Sequence, residues 1–309
     1  MAEPKGNIQS RIAGWFDLSR PPFQTACLLP FLLGTFLGWR LNHVFSLPVF
    51  VLAVLASVLV ILSTHHAGEY FDDRQDLTSK RFNPNRFTRG PGAIGGFWFS
   101  PSVPLWTSLI TITLAAAIVL VLQFALKTGP WTLLLGCIGV LPGFLYALRP
   151  LRLPEKGIAE FFVASCYGWL PLAWAFYIQN GTVAPCIHWM ALPIGLSIFN
   201  VILMSEFADY AADAAAGRTN LLVRLGLDRG RILYILVSIL SWVSVYFSLG
   251  TGIPRKALYL YLPVMGMSAA ESFLMARRKY ENPLLMEILS GLNIAVHLGT
   301  TLAYLLAFT

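Results

Sequence analysis

The sequence predicts an all-α bundle of nine membrane-spanning helices with its N-terminus in the cytoplasm, on three observations. Of the 309 residues, 56% are hydrophobic and only 12% charged, and the mean hydropathy is +0.66, well toward polytopic membrane proteins and away from soluble globular usage. Apolar runs of about 18 residues or more, the length that crosses ~30 Å of hydrocarbon, recur nine times. The Lys and Arg residues between those runs fall almost wholly on one side of the chain's predicted path.

In chain order the runs lie near 21–39, 47–66, 103–126, 131–148, 157–179, 188–205, 231–250, 257–275 and 284–308. The first follows a polar stretch of twenty residues without a small-residue cleavage pattern and is expected to be retained. Short connections around 40–46, 127–130, 180–185 and 252–255 join the spans on one side. The other side carries two long connections, 67–102 and 206–230, of a length that is usually functional. Of the 22 Lys and Arg, only Arg40, Lys127, Arg255 and Lys256 fall on the short-loop side and the other 18 on the long-loop side. The positive-inside rule therefore puts the long loops in the cytoplasm, and nine spans leave the C-terminus outside.

The net charge of +7 is thus a consequence of topology. It gives an anionic ligand a favourable cytoplasmic face and makes no basic stripe on a soluble module, so nucleic acid is not an expected partner. Cys27, Cys137, Cys166 and Cys186 lie in or beside different spans without metal-ligand spacing, as small core residues do. The chain is expected to form a single domain over residues 1–309.

Each long cytoplasmic connection opens on acid. EYFDDRQD (69–76) follows the second span and EFADYAAD (206–213) follows the sixth, both with the spacing E-x-x-D-x-x-x-D. On a helix, positions i, i+3 and i+7 fall within roughly 60° of one another. Glu69, Asp72 and Asp76 therefore share one face, as do Glu206, Asp209 and Asp213, while Asp73 points about 100° away. Three carboxylates on one stripe near a bilayer repel and are poorly solvated, so a cation is required. Mg2+ suits such a place, because it takes one or two carboxylates together with phosphate oxygens. Two such helix ends facing across a cavity would clamp a diphosphate, stabilise it as a leaving group and leave an allylic chain in the apolar bundle. A solvated helix end is the alternative for one cluster alone.

These motifs resemble those of the UbiA superfamily of intramembrane prenyltransferases, N-D-x-x-D-x-x-x-D followed by D-x-x-x-D. The first maps onto Gly68, Glu69, Asp72 and Asp76 and the second onto Asp209 and Asp213. SRPPFQTACLLPFLLGTFLG, NRFTRGPGAIGG, YALRPLRLPEKGIAEFFVASCYGWLP and AGRTNLLVRLG carry the resemblance over nearly the whole chain, and the first two of them, by the RP-then-P-x-x-x-G start and the N-x-F-T-x-G-x-G pattern, are most similar to the menaquinone-pathway branch. The resemblance implies Mg2+-dependent transfer of a polyprenyl group from polyprenyl diphosphate to 1,4-dihydroxy-2-naphthoate, in the cytoplasmic membrane with the site facing the cytoplasm. Other acceptors within the superfamily are 4-hydroxybenzoate, homogentisate, a tetrapyrrole or a glycerol phosphate lipid. A cation or organic-anion transporter is the rival from another class, but its charges would be expected near the bilayer midplane.

Asp72, Asp76, Asp209 and Asp213 are expected to ligate Mg2+, with Glu69 and Glu206 as outer ligands or orienters. Arg86, Arg89, Arg149 and Arg218, with Arg20 and Lys80, are expected to meet the diphosphate; each also serves the positive-inside rule. Tyr146 either braces a carbocation by its π face or belongs to the interfacial belt. Two positions depart from the family: Gly68 stands where the motif has Asn, and Glu69 where it has Asp. Either His65 or Asn200 replaces the missing amide, or the substrate sits differently. His65 and His66 are adjacent, so they lie on different helix faces and do not share a metal.

Overall fold

The computed structural model describes residues 8–79, 102–145, 157–215 and 217–309, the side chains of 8, 10, 11, 13, 17, 72–79 and 141–145 excepted. All of the regular structure among these residues is helical: α1 Ile8–Leu18, α2 Pro21–Asn42, α3 Leu47–Ser79, α4 Ser102–Leu120, α5 Thr132–Leu145, α6 Ala159–Ala164, α7 Leu170–Asn180, α8 Pro185–Ala215, α9 Leu221–Leu225, α10 Leu227–Ser248, α11 Lys256–Ala276 and α12 Pro283–Ala307. A π-type turn at Val121–Ala125 prolongs α4, and another at Ser165–Trp169 joins α6 to α7.

Among the described residues eight helices are long and apolar enough to cross a membrane. The remaining predicted span, 131–148, begins as α5, and its last residues lie outside the described ones. Both helices that bear the acidic motifs run well past their apolar runs, α3 for 33 residues and α8 for 31. The helix prolongs each span by about three turns, which carries the motif clear of the apolar run yet keeps it in register with the span.

Helix ends follow local chemistry. Asn282 caps α12, its side-chain carbonyl accepting from the Leu285 amide at 3.1 Å, and Pro283 occupies the first turn, where its missing N–H costs nothing. α7 stops at Gly181, whose φ of 74° few other residues adopt without strain. Close crossings use glycine for a different reason: at the π-type turn a Cβ on Gly168 would stand 2.5 Å from Gly195 Cα of α8.

The termini of successive helices gather at two ends of the bundle. At one, Arg40 Nε donates to the Phe308 carbonyl at 3.1 Å, Asn42 Nδ2 donates to Asn180 Oδ1 at 2.9 Å, and the Ser46 amide donates to Gln179 Oε1 at 2.8 Å. At the other, the start of α6, the end of α8 and the short α9 are tied together through carboxylates, as described below. Four apolar clusters fill the space between, the largest packing Leu33, Phe176, Met190, Tyr261 and Tyr304 from five helices.

Buried polar groups inside the bundle are largely paired with one another. Glu271 of α11 accepts from the Tyr234 hydroxyl at 3.0 Å, and that oxygen in turn accepts from Asn293 Nδ2 at 3.1 Å. Asn200 Nδ2 donates to the Tyr234 carbonyl and to Ser238 Oγ. His297 bridges Ser197 Oγ at 2.9 Å and the Ala26 carbonyl at 3.0 Å, linking α12 to α8 and α2.

Candidate active site

One cavity of about 250 Å³ runs into the bundle among α2, α3, α4, α5, the α6–α7 segment and α8. Its wall is almost wholly apolar, made by residues such as Val60, Ile61, Val119, Leu135, Val163 and Ile198. Polar side chains lie along part of it: Arg20, Thr64, His65, Tyr167 and Ser205. The π-type turn shapes one side, presenting Cys166 and Tyr167, in keeping with the frequency of such turns at functional sites. A chain of methyl and methylene groups fits this wall by apolar contact alone.

The cavity leads to the acidic motifs by helix geometry. On α8, Ile198, Ile202 and Ser205 line the cavity. At 100° per residue these three, Asp209 and Asp213 all fall within about 80° of azimuth, so the cavity-lining face and the acidic face are one continuous stripe. Asp209 is half-buried, one turn beyond Ser205. Asp213 is buried; Asn220 Nδ2 donates to its Oδ2 at 2.8 Å, and Arg218 NH1 stands 3.6 Å from its Oδ1.

Glu206 is turned toward α9, its Oε2 accepting from the Leu222 amide at 3.0 Å. Glu160, buried at the start of α6, accepts from the neighbouring Leu221 amide at 3.3 Å. Two carboxylates thus serve the opening amides of α9, which have no partner within the helix. The Asn220 side-chain carbonyl caps the same turn, accepting from Val223 N at 2.9 Å. Glu206 therefore fixes the loop that carries Arg218 and Asn220.

On α3 the cavity wall is made by Ala56, Ser57, Val60, Ile61, Thr64 and His65. The helix continues unbroken through Glu69, Asp72 and Asp76, which preserves their i, i+3, i+7 register. Glu69 is buried. His65 faces the cavity, with Nδ1 3.3 Å from the Ser19 carbonyl and its ring edge-on to Phe23. His66 turns the other way and packs against Trp15 of α1 at 5.4 Å between ring centroids, as the two-face reading required. Arg20, in the left-handed conformation just before α2, lines the same cavity and lies over the Phe23 ring at 5.9 Å.

Asn200 does not replace the motif's missing amide. It points to α10, about 170° of helix rotation from the centre of the cavity-lining stripe, and donates to the Tyr234 carbonyl and Ser238 Oγ. His65 keeps that possibility by its place on the cavity wall. Lys80, Arg86, Arg89, Tyr146 and Arg149 lie outside the described residues, as do the side chains of Asp72 and Asp76.

Glu160 and Asn220 were not singled out from the sequence, and neither was Tyr167. An asparagine before a short apolar run, as in TNLLVRL, is a helix-cap signal that could have marked Asn220. Glu160 carries no local pattern, since its partner amide, that of Leu221 at the start of α9, lies some sixty residues further along the chain.

Among the described residues no group of three or more His, Cys, Asp or Glu is gathered closely enough to hold a metal ion; carboxylates of this kind are the donors a hard divalent cation takes together with a phosphate. Asp209 and Asp213 of α8 would face the α3 acids for this purpose.

Among the described residues, eight helices are long and apolar enough to cross a membrane, and several of them enclose one apolar cavity, the architecture of a polytopic helical membrane protein. Among such proteins, the chain belongs to the UbiA prenyltransferase family, whose model matches residues 27–286. A 1,4-dihydroxy-2-naphthoate octaprenyltransferase of Bacillus subtilis is 26% identical over 68% of the chain and 65% of its own length. The protein of the same name from Haemophilus influenzae is 24% identical over 86% of both chains. Among solved structures, a UbiA homologue from Archaeoglobus fulgidus bound to GPP and Mg2+ superposes with a TM-score of 0.65 at 17% identity, over 94% of this chain and 99% of that one.

Proposed function

We propose that the protein transfers a polyprenyl group from polyprenyl diphosphate to 1,4-dihydroxy-2-naphthoate, the whole chain acting as one domain in the cytoplasmic membrane with its site toward the cytoplasm. The observation that carries this reading is the continuous stripe on α8, which runs from the apolar cavity through Ser205 to Asp209 and Asp213. The matches to two naphthoate prenyltransferases favour that acceptor over others.

In this mechanism the isoprenoid tail lies against the cavity wall, and apolar contact is all that holds it. Arg20, at the wall beside His65, attracts the diphosphate. Asp72, Asp76, Asp209 and Asp213 would hold Mg2+, with Glu69 beside them. When bound, such an ion would supply charge neutralisation to the diphosphate leaving group. Asn220 and Arg218 fix the rotamer of Asp213 before substrate arrives, and Glu206 and Glu160 fix the loop that bears them. The aromatic faces of Phe23, Tyr167 and Trp174 line the cavity and suit a developing allylic cation. The electron-rich ring then forms the new carbon–carbon bond and loses a proton, while diphosphate leaves with the electrons of the broken C–O bond.

Purified protein with Mg2+, labelled geranylgeranyl diphosphate and a panel of aromatic acceptors tests this. Stoichiometric prenylated naphthoate and diphosphate are expected; diphosphate release with no naphthoate consumed would refute the acceptor assignment.

A further inference from the structure

Where α10 begins and α11 ends, cations gather in one place. DRGR (228–231) and RRKYE (277–281) bring Arg229, Arg231, Arg277, Arg278 and Lys279 together with only two acids, Asp228 and Glu281. Asp228 is already engaged: Arg278 NH2 donates to its Oδ1 at 2.7 Å, and Arg231 Nε stands 3.2 Å from the same oxygen. Arg231 NH1 also donates to the Ala276 carbonyl at 2.8 Å, which ties the start of α10 to the end of α11. Arg229, Arg277 and Lys279 stay exposed and, among the described residues, have no carboxylate partner. The positive-inside rule asks for basic residues at this end of the bundle, but not for their collection on one turn.

That turn is held firmly. Arg278 is left-handed at a φ of 54°, Tyr280 is buried with its ring centroid 4.8 Å from that of Phe207 on α8, and Asn282 caps α12. The surface below the charges is apolar and faces outward. On α10, Arg229, Ile232 and Leu236 share one face within about 60°, as do Arg277, Phe273 and Ala270 on α11; all six are exposed. Each helix thus carries an outward apolar stripe headed by an exposed arginine. The Arg277 guanidinium lies over the Phe273 ring, 5.3 Å from its centroid, so the charge is placed at the rim of the apolar surface.

A ligand that satisfies both parts needs an anionic head and apolar chains. We infer that this patch binds an acidic phospholipid of the surrounding leaflet, with Arg229, Arg277 and Lys279 meeting the headgroup phosphate and the acyl chains lying along the stripes of α10 and α11. A zwitterionic headgroup has no net charge to offer the excess of cations, so the site prefers acidic lipid. None of these residues lines the apolar cavity, and the inference stands apart from prenyl transfer.

The test titrates the full-length protein in a nonionic detergent with phosphatidylglycerol or phosphatidylcholine and counts retained lipid by native mass spectrometry. Wild type is compared with Arg277→Gln/Lys279→Gln and with Arg255→Gln/Lys256→Gln, which removes the same charge at the opposite end of α11. Wild type should retain phosphatidylglycerol at least about tenfold more tightly than phosphatidylcholine. The Arg277→Gln/Lys279→Gln variant should lose about tenfold or more of that affinity, the size expected for two basic side chains near a lipid surface. The opposite-end variant should stay within about twofold of wild type. Equal losses in the two variants would overturn the site, since net charge alone would then account for the binding. So would unchanged retention in Arg277→Gln/Lys279→Gln, or displacement of the lipid by an equal concentration of inorganic phosphate, which would leave the acyl chains no part in recognition.

Discussion

The Asn220 side chain serves Asp213 and α9 at once. Its amide donates to Asp213 Oδ2 at 2.8 Å while its carbonyl accepts from Val223 N at 2.9 Å. A helix cap and the orientation of an acidic-stripe carboxylate are therefore coupled through one residue. Asn220→Asp keeps the cap, since Asp caps as well as Asn, but removes the donor and sets a second carboxylate against Asp213. A charge-assisted hydrogen bond is worth about 1.5–3 kcal/mol, so a loss of roughly 10- to 150-fold in kcat/KM is expected, with folding preserved in circular dichroism.

Glu206 and Asp209 are three residues apart on α8 yet are expected to respond differently. Glu206→Gln retains an oxygen for the Leu222 amide and should lower activity by less than about tenfold, with little change in the Mg2+ concentration for half-maximal rate. Asp209→Asn should raise that concentration strongly and lower the rate by roughly 100-fold or more. Mg2+ titrations of the two variants check this.

Val60 lines the cavity, so Val60→Trp should shorten the space open to a proposed isoprenoid tail. Geranylgeranyl diphosphate should lose at least about tenfold in kcat/KM relative to geranyl diphosphate, the direction expected when methylene contacts are replaced by a clash. A chain-length series in the variant supplies the measurement.

The polar cluster away from the cavity governs stability. Tyr234→Phe leaves Glu271 and Asn293 without the hydroxyl that joins them, at a cost of about 1–3 kcal/mol for buried groups left unpaired. A lower thermal midpoint in detergent is expected, with KM for the prenyl diphosphate unchanged.

Much of the fold was legible because membrane spans are written as length and hydropathy, and those survive any packing. The two acidic stripes were legible because α3 and α8 continue as helices beyond their apolar runs, so helical register carries over from span to motif. What sequence could not show is which acids look inward. Glu206 follows the motif spacing yet reaches the Leu222 amide, and Glu160 follows no pattern yet joins it on α9. Asn200 looked available as a polar residue near the second motif, but its amide donates to acceptors on α10. Rotation of one helix against another decides such cases, and it is set by contacts far apart in the chain.

In the proposed mechanism the acids of α3 and α8 grip one diphosphate through the same ion cluster. Mg2+-dependent affinity for geranylgeranyl diphosphate, measured in Asp72→Ala, Asp209→Ala and the double variant, tests it most directly. Groups acting as a unit lose function non-additively. Each single variant should therefore lose about 100-fold or more, and the double variant little beyond that. Full affinity in both single variants, or losses that simply multiply in the double, would contradict the two-helix clamp.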